Sequence, residues 1–238
     1  MARFADKLAL VTGASRGLGR AVATVLAREG AHVILAARRE GSLEDVDDDI
    51  RAAGGSATLV KMDLTVGEKV DALGPTIYER WGKLDMLVAN AGILGPLSPL
   101  PHISNDAWDN ILAVNLSANW RLIRTLDPLL RHADAGRAVF VSSGASAAKR
   151  GYWGPYAVSK AGLEALVKTY AHEIDNTSVR ANIVNPGPVR TEMRQQAFPG
   201  EDPMTLPSPE EVAEKFLDVV DPACTANGQV FSFDQRAK

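Results

Sequence analysis

Short β-rich segments alternate with longer segments of helical periodicity along the whole chain. This alternation constrains the fold more than any other feature, because βαβ units place their strands parallel in one sheet with helices on its faces. Several predicted strands, such as residues 84–88 and 138–141, are almost uninterrupted apolar runs, as expected for parallel strands covered on both faces. We therefore predict an α/β fold with a doubly wound parallel sheet of about seven strands and helices on both faces.

The element boundaries follow from these two periodicities. The predicted strands are residues 8–12, 32–36, 57–62, 84–89, 137–142, 179–184 and 229–233, and the predicted helices are residues 18–30, 43–53, 66–81, 104–131, 155–174 and 209–220. Gly74 and Pro75 predict a break or kink inside the third helix, because proline cannot donate a helical hydrogen bond. Residues 190–209 carry several prolines and few periodic signals, so we expect a functional loop there.

Composition is typical of a soluble globular protein and disfavours several classes of function. The 238 residues are 46% apolar and 23% charged, and we expect a single domain over residues 1–238. A net charge of −3 predicts no nucleic-acid partner and no general attraction to anionic membranes. Cys224 is the only cysteine, the four histidines lack metal-ligand spacing and no long apolar segment occurs. We therefore predict no disulfide, no metal site and a cytoplasmic location.

A glycine-rich turn joins the first predicted strand to the first helix. The candidate binding residues in this turn are Gly13, Ser15, Arg16, Gly17, Leu18 and Gly19. Glycines allow close backbone approach, and the helix N-terminus behind them offers free N–H groups and a partial positive charge. The position favours binding of a dinucleotide pyrophosphate, and an ordinary glycine-rich turn is the alternative interpretation.

The end of the second predicted strand indicates which dinucleotide is bound. An acidic residue here would hold the ribose 2′-hydroxyl of NAD, whereas arginine accommodates the 2′-phosphate of NADP. The chain has Arg38 and Arg39 at this point, and Arg16 of the glycine turn could join them. We predict NADP(H) as the preferred cofactor. Glu40 leaves NAD(H) open, and solvated charges are the alternative interpretation of the two arginines.

Tyr156 and Lys160 form the candidate reaction centre. Pro155 favours the start of a helix, and residues four apart on a helix share one face. A free phenol has a pKa of about 10, and a neighbouring cation lowers that pKa toward working pH. The pair therefore predicts a proton-exchange site, whereas an aromatic ring that covers a lysine stem is the alternative.

Together these motifs resemble the short form of the short-chain dehydrogenase/reductase family over nearly the whole chain. The glycine turn matches the family's T-G-x-x-x-G-x-G, residues 89–92 match its N-N-A-G with alanine first, and Tyr156 and Lys160 match its Y-x-x-x-K. The family's serine thirteen residues before the tyrosine corresponds to Ser143, and the asparagine of its long helix corresponds to Asn115. The resemblance implies a Rossmann-like fold and an NAD(P)-dependent enzyme that acts on CH–OH donors (EC 1.1.1.-).

The resemblance also implies a role for each matched residue. Tyr156 would exchange a proton with the substrate oxygen, while Lys160 would lower the pKa of that phenol and hold the nicotinamide ribose. Ser143 would hydrogen-bond the same oxygen, with Ser142 as the second choice. Asn115 would anchor a water on a proton path from Lys160. The remaining cofactor contacts would be made by Asp63, Leu64, Asn90, Val189 and Thr191.

The resemblance further suggests where the substrate and a second subunit bind. The family's substrate pocket lies near Trp153. Met193, Phe198 and Met204 of the proline-rich loop could form a lid over an apolar substrate or could pack beneath that loop. The family associates through its two long central helices, here the fourth and fifth predicted helices, so we expect a homodimer or homotetramer.

We predict an NADP(H)-dependent oxidoreductase that transfers hydride between the nicotinamide and a small-molecule ketone or secondary alcohol, which makes it a carbonyl reductase or alcohol dehydrogenase. Reduction of a 3-oxoacyl thioester, carried by CoA or an acyl carrier protein, is the alternative within enzymes. A non-catalytic NADP-binding regulator is the alternative outside enzymes, and the intact Ser143, Tyr156 and Lys160 argue against it. Nucleotide-sugar epimerases and dehydratases are disfavoured because they usually carry a longer C-terminal substrate region.

Overall fold

The computed structural model describes residues 2–148 and 150–233. Seven strands lie in one sheet, and every strand pair is parallel. The strands are β1 Leu8–Thr12, β2 His32–Ala37, β3 Ser56–Lys61, β4 Met86–Ala89, β5 Arg137–Val141, β6 Arg180–Asn185 and β7 Val230–Ser232. The prediction of a doubly wound parallel sheet of about seven strands is confirmed.

Helices cover both faces of this sheet. Those of the described residues are α1 Gly17–Arg28, α2 Glu40–Ala52, α3 Gly67–Asp71, α4 Leu73–Trp81, α5 Asn105–Leu112, α6 Ala118–His132, α7 Gly154–Glu173, α8 Glu192–Ala197, α9 Pro209–Ala213 and α10 Phe216–Val220. One buried layer joins the sheet to α1, α2, α9 and α10, and a second joins it to α3, α4, α6 and α7. Alternate residues of β1 enter opposite layers, with Ala9 and Val11 in the first and Leu8 and Leu10 in the second.

Three predicted helices are interrupted. The one predicted over 209–220 is divided between α9 and α10, and in the other two another element packs closely near the interruption. The third predicted helix is divided between α3 and α4, and a Cβ added at Gly74 would lie 2.3 Å from the backbone oxygen of Thr125 on α6. The predicted helix over 104–131 is α5 and α6, joined by a π-helical turn at Ala113–Ser117. The proline-rich loop also contains a helix that we did not predict, α8, which begins where the Thr191 side chain accepts a hydrogen bond from the backbone N–H of Arg194.

The strand order places one crevice at the centre of the sheet. The order is β3-β2-β1-β4-β5-β6-β7, so the connections leave β1 and β4, which are neighbours, in opposite directions. Doubly wound sheets bind their ligands at such a switch point, outside the carboxyl ends of the strands. The turns that follow β1, β2, β4, β5 and β6 all lie along this edge, which brings together residues far apart in the sequence.

The lengths of the helices and the side chains on their outer surfaces test two further expectations, which concern membranes and self-association. No helix within the described ranges is long and apolar enough to cross a membrane. Trp120 on α6 and Val158 on α7 are exposed, with 45% and 47% of their surface accessible. Both lie on the helices that we predict to associate, and the oligomeric state stays a prediction.

The guanidinium of Arg137 holds three segments together at the edge of the sheet opposite the crevice. Arg137 is 5% exposed and donates hydrogen bonds to the backbone oxygens of Gly136, Ser178, Asp221 and Pro222. Arg137→Met would leave the backbone oxygens of Ser178 and Pro222 without this donor, while those of Gly136 and Asp221 still accept from the N–H groups of Arg180 and Cys224. We therefore expect the free energy of unfolding to fall by about 3 kcal/mol in urea denaturation. The exposed Arg131→Met serves as a control and should lose at most about 0.5 kcal/mol. Equal losses in both variants would contradict a role for the buried bonds.

Candidate active site

A cavity of about 760 Å³ occupies the crevice. The predicted site residues that line it are Gly13, Ser15, Arg16, Gly17, Leu18, Gly19, Arg38, Arg39, Asp63, Leu64, Asn90, Ser143, Tyr156, Lys160, Val189 and Thr191. Asn115 is the one predicted site residue that does not line the cavity. The fold therefore brings the candidate cofactor residues and the candidate catalytic residues into one space.

The glycine turn between β1 and α1 requires its glycines for close packing. Gly13 has a φ of +67°, and a Cβ there would lie 2.9 Å from the Cα of Ala91. A Cβ at Gly19 would lie 2.2 Å from the backbone oxygen of Gly13. Asn90 supports the turn from the end of β4, because its side-chain amide donates to the backbone oxygen of Thr12 at 3.0 Å.

The N-terminus of α1 faces the same cavity. The residue at its N-cap position is Arg16, whose side chain makes no capping hydrogen bond within the described residues. The first backbone N–H groups of the helix therefore receive no hydrogen-bond acceptor from the N-cap side chain. Such a helix start is a site for a phosphate group. The glycine turn, the free helix start and the size of the cavity together fit a dinucleotide.

The arginines at the end of β2 are available to an anionic ligand. Arg38 and Arg39 are exposed, and neither guanidinium is hydrogen-bonded or ion-paired within residues 2–148 and 150–233. Glu40, which could have neutralised them, instead pairs with Lys61 at 3.1 Å. At the end of β3, Asp63 accepts hydrogen bonds from the N–H and hydroxyl of Thr65, which lower the pKa of its carboxyl.

Tyr156 and Lys160 lie on the first turns of α7, as predicted, and both are buried. The Nζ of Lys160 lies 5.8 Å from the centroid of the Tyr156 ring and donates to the backbone oxygen of Val141 at 2.7 Å. Burial lowers the pKa of Lys160 to about 8, against the opposing effect of the Glu164 carboxylate. The ammonium therefore remains largely protonated at neutral pH in a site with little water.

The pKa of Tyr156 shifts in the direction opposite to the one predicted. Burial raises the pKa of Tyr156 above its ordinary value, and the neighbouring Ser143 hydroxyl partly offsets the rise. The predicted lowering by Lys160 does not outweigh burial in this arrangement, in which the ammonium donates to the backbone oxygen of Val141. The phenol is therefore held in its protonated, proton-donating form.

The two adjacent serines after β5 have different partners. The hydroxyl of Ser142 donates to the carboxylate of Glu164 on α7 at 2.7 Å. The hydroxyl of Ser143 accepts a hydrogen bond from the N–H of Ala145 and lies beside the Tyr156 phenol. The Ser143 hydroxyl thus faces the candidate proton donor, whereas the Ser142 hydroxyl is bonded to Glu164, which supports the choice of Ser143 over Ser142.

Asn115 lies behind the cavity, in the π-helical turn, and is completely buried. Its side chain accepts from the N–H of Ile93 and donates to the backbone oxygen of Ile93, each at 2.9 Å, and also donates to the Ser159 hydroxyl at 3.0 Å. The Ser159 hydroxyl donates in turn to the backbone oxygen of Tyr156. Asn115 therefore ties the segment after β4 to α7. The backbone oxygen of Asn115 accepts from the Asn119 amide, and the water on a proton path from Lys160 stays a prediction.

Val189 and Thr191 begin the loop that covers the cavity. The Thr191 hydroxyl caps α8 and also donates to the backbone oxygen of Val189 at 3.3 Å. Glu192, the next residue, forms an ion pair with Arg16 of the glycine turn. The loop is thereby connected to the opposite side of the crevice.

An aromatic wall continues the cavity beyond Tyr156. The ring centroid of Trp153 lies 6.0 Å from that of Tyr156 and 5.7 Å from that of Phe198. Met193 and Phe198 line the cavity, as the lid interpretation required, whereas Met204 is 74% exposed and lies outside the lining. Trp153 and Phe198 thus form an apolar surface next to the candidate proton donor.

Sequence reasoning missed five polar residues of the described lining, which are Ser42, Arg150, Asn185, Glu192 and Arg194. Ser42 lies in the first turn of α2, close behind Arg38 and Arg39 in the sequence. Arg150 belongs to the turn between β5 and α7, at the edge of the sheet where ligands bind, and this position could have indicated it. Arg194 follows the cap of α8, which was not predicted.

Comparisons with known proteins agree with this geometry. The family model for short chain dehydrogenases matches residues 7–202. The chain belongs to the short-chain dehydrogenase family. It is an oxidoreductase of that family, with the family's glycine turn and tyrosine–lysine pair at the two ends of one cavity.

Individual relatives span most of the chain. The uncharacterized oxidoreductase YciK of Escherichia coli (strain K12) is 37% identical over 215 residues, which cover 89% of this chain and 85% of the relative. The 3-oxoacyl-acyl-carrier-protein reductase FabG of the same organism is 34% identical over 190 residues, 80% of this chain and 76% of the relative. A short chain dehydrogenase from Escherichia coli CFT073, solved in complex with NADPH, superposes with a TM-score of 0.94 at 35% identity and 98% coverage of both chains.

Replacing Lys160 with methionine is expected to stabilise the fold at neutral pH. The pKa of Lys160 falls from 10.5 to about 8 on folding, so the cost of burying its charge is complete below pH 8 and disappears as the pH rises to 10.5. Lys160→Met removes this cost but also removes the hydrogen bond to Val141. The net effect should be a rise of about 2 kcal/mol in the free energy of unfolding at neutral pH. Urea denaturation at neutral pH and near pH 10.5 measures the difference, which should be small at the higher pH.

The half-exposed Lys168 on the same helix provides a matched control. Lys168→Met should change the free energy of unfolding by less than about 0.5 kcal/mol at either pH. A stabilisation by Lys160→Met that is independent of pH would refute buried charge as its cause.

Proposed function

We propose that the chain is an NADP(H)-dependent oxidoreductase that transfers hydride between the nicotinamide and a ketone or secondary alcohol, with Tyr156 as general acid or base. The observation that carries this proposal is the meeting of Tyr156, Ser143 and Lys160 at one end of a cavity whose other end is the glycine turn. Hydroxyl groups that converge beside a buried ammonium suit a reaction in which negative charge develops on a substrate oxygen.

The protonation states assign each group a role in the reductive direction. Reduction of a carbonyl needs a hydride at carbon and a proton at oxygen, and the bound nicotinamide would supply the hydride. Tyr156 would donate the proton, because burial keeps its phenol protonated. Ser143 would hydrogen-bond the carbonyl oxygen, and Lys160 would stabilise the phenolate that forms. In the oxidative direction, the same phenolate would accept the alcohol proton.

The residues around the cavity fit the cofactor that this chemistry requires. The glycine turn and the start of α1 would hold the pyrophosphate, and Arg38 and Arg39 would hold the 2′-phosphate. Asp63, Leu64 and Asn90 would contact the adenosine, and Val189 and Thr191 would contact the carboxamide. The pairing of Glu40 with Lys61 supports NADP(H) over NAD(H), because it holds this carboxylate away from both arginines.

Reduction of a 3-oxoacyl thioester is the second candidate function. The 34% identity to the reductase FabG supports it, and the apolar surface of Trp153 and Phe198 would accommodate an acyl chain. A panel that contains both simple ketones and 3-oxoacyl thioesters separates the two candidates by the ratio of their kcat/KM values.

Oxidation of NADPH across this panel tests the proposal. We expect Tyr156→Phe to lower kcat by about 100- to 10,000-fold, because the variant lacks the donated proton. Binding of NADPH should change little, since the ring remains. Tyr152→Phe, in which a 64% exposed phenol loses its hydroxyl, should keep wild-type turnover. Wild-type turnover in Tyr156→Phe would eliminate the assigned acid, and tight NADPH binding without turnover of any carbonyl would favour the regulator alternative.

The cofactor preference depends on the arginines after β2. Replacing Arg38 and Arg39 together with glutamine should reduce the ratio of kcat/KM for NADPH to that for NADH by about 10- to 100-fold, mainly through KM for NADPH. Arg51→Gln, which removes an exposed charge from the far end of α2, should leave the ratio unchanged. A preference that survives the double replacement would assign the 2′-phosphate to other residues.

A further inference from the structure

Arg150 extends the aromatic wall with a positive charge. Its guanidinium carbon lies 4.8 Å from the ring centroid of Phe198 and 5.5 Å from that of Trp153. The Trp153 ring is itself the neighbour of Tyr156. Beginning at the candidate proton donor, one wall of the cavity therefore presents a phenol, two aromatic rings and a cation.

The cavity has an excess of positive charge. In the described lining, the cationic side chains are Arg16, Arg38, Arg39, Arg150, Lys160 and Arg194, and the acidic ones are Asp63 and Glu192. Glu192 pairs with Arg16, and Asp63 lies at the end of β3, where the adenosine is proposed to bind. These two carboxylates therefore leave the charge of Arg150 uncompensated.

The two arginines of the aromatic wall differ in their partners. Arg194 lies 3.7 Å from the Phe198 centroid and donates two hydrogen bonds to the carboxylate of Glu201. Arg150 has no carboxylate within ion-pair distance among residues 2–148 and 150–233. Its contacts with the two rings limit the positions of the guanidinium while its N–H groups stay available. The charge of Arg194 is thus compensated internally, whereas that of Arg150 is available to a ligand.

We propose that the substrate carries a carboxylate that Arg150 binds, separated from the reacting carbonyl by an apolar segment that lies against Trp153 and Phe198. This inference rests on the proposed oxidoreductase function and specifies its substrate class as apolar oxo acids or the corresponding hydroxy acids. One planar guanidinium matches a carboxylate with two parallel hydrogen bonds. The proposed phosphate site at the other end of the cavity has two or three arginines, so a single arginine favours the smaller charge of a carboxylate.

The test compares each acid with its neutral ester. The substrates are levulinate, its longer-chain methyl-ketone homologues and their methyl esters, assayed with NADPH. In the wild type, we expect kcat/KM for one acid of intermediate length to exceed that of its ester by about 10-fold or more. Arg150→Met keeps an apolar side chain against the rings and should raise KM for the acid by about 10-fold, with kcat and the ester kinetics unchanged. Arg150→Lys should recover part of the loss.

A second readout does not depend on turnover. Calorimetry measures binding of the same acids and esters to the enzyme saturated with NADP⁺, which has no hydride to give to a ketone. If the wild type binds the acid and Arg150→Met does not, the result supports the carboxylate site. It does so even if no carbonyl is reduced, and in that case only the proposed function fails. Equal affinity for acid and ester, an equal loss of both in Arg150→Met, or an acid preference that Arg150→Met retains would each overturn the inference. Faster turnover of 3-oxoacyl thioesters than of every acid would overturn it as well.

Discussion

The pairing of β1 with β4 is the constraint on which the site depends. Because all strands are parallel, their carboxyl ends share one edge, and the reversal of connections between these two strands opens the crevice there. Asn90 spans the junction through its hydrogen bond to Thr12, and the glycine turn approaches Ala91 so closely that a side chain at Gly13 would collide with it. The cofactor end of the cavity is therefore formed by backbone packing in the centre of the sheet, where displacement would disturb both buried layers.

Burial determines the chemistry at the other end. The same exclusion of water raises the pKa of Tyr156 and lowers that of Lys160, so both groups are displaced toward their neutral forms. For the phenol this shift preserves a proton donor. For the lysine the shift brings the pKa close to neutrality. The ammonium stays charged at neutral pH, and its burial lowers the free energy of unfolding. Asn115 holds this arrangement from behind, since its bonds to Ile93 and Ser159 connect the segment after β4 with the helix that carries both groups.

The sequence predicted those parts of the molecule that depend on local patterns. Apolar runs located the seven strands to within two residues at each end. The helical spacing of Tyr156 and Lys160, and the family resemblance in the case of Ser143, placed these residues around one cavity. Contacts between distant elements account for the differences. The third predicted helix is divided at Ala72, two residues before the close approach of Gly74 to Thr125, and the π-helical turn contains Asn115, which is bonded to two other segments. The pKa of Tyr156 was predicted in the wrong direction because the depth of its burial is a tertiary property.

Arg150 illustrates why substrate class is harder to predict than reaction class. The reacting groups belong to β5 and α7, whose positions follow from strand and helix periodicity. The position of Arg150 instead depends on Trp153 and Phe198, which lie on opposite sides of β6 in the sequence and are brought together only by the covering loop. The ion pairs that hold this loop, Arg16 with Glu192 and Arg194 with Glu201, are exposed or half-buried, and such pairs contribute about 1 kcal/mol or less each. The substrate end can therefore change shape at little cost to the fold, whereas the reacting end cannot, and local sequence patterns describe only the latter.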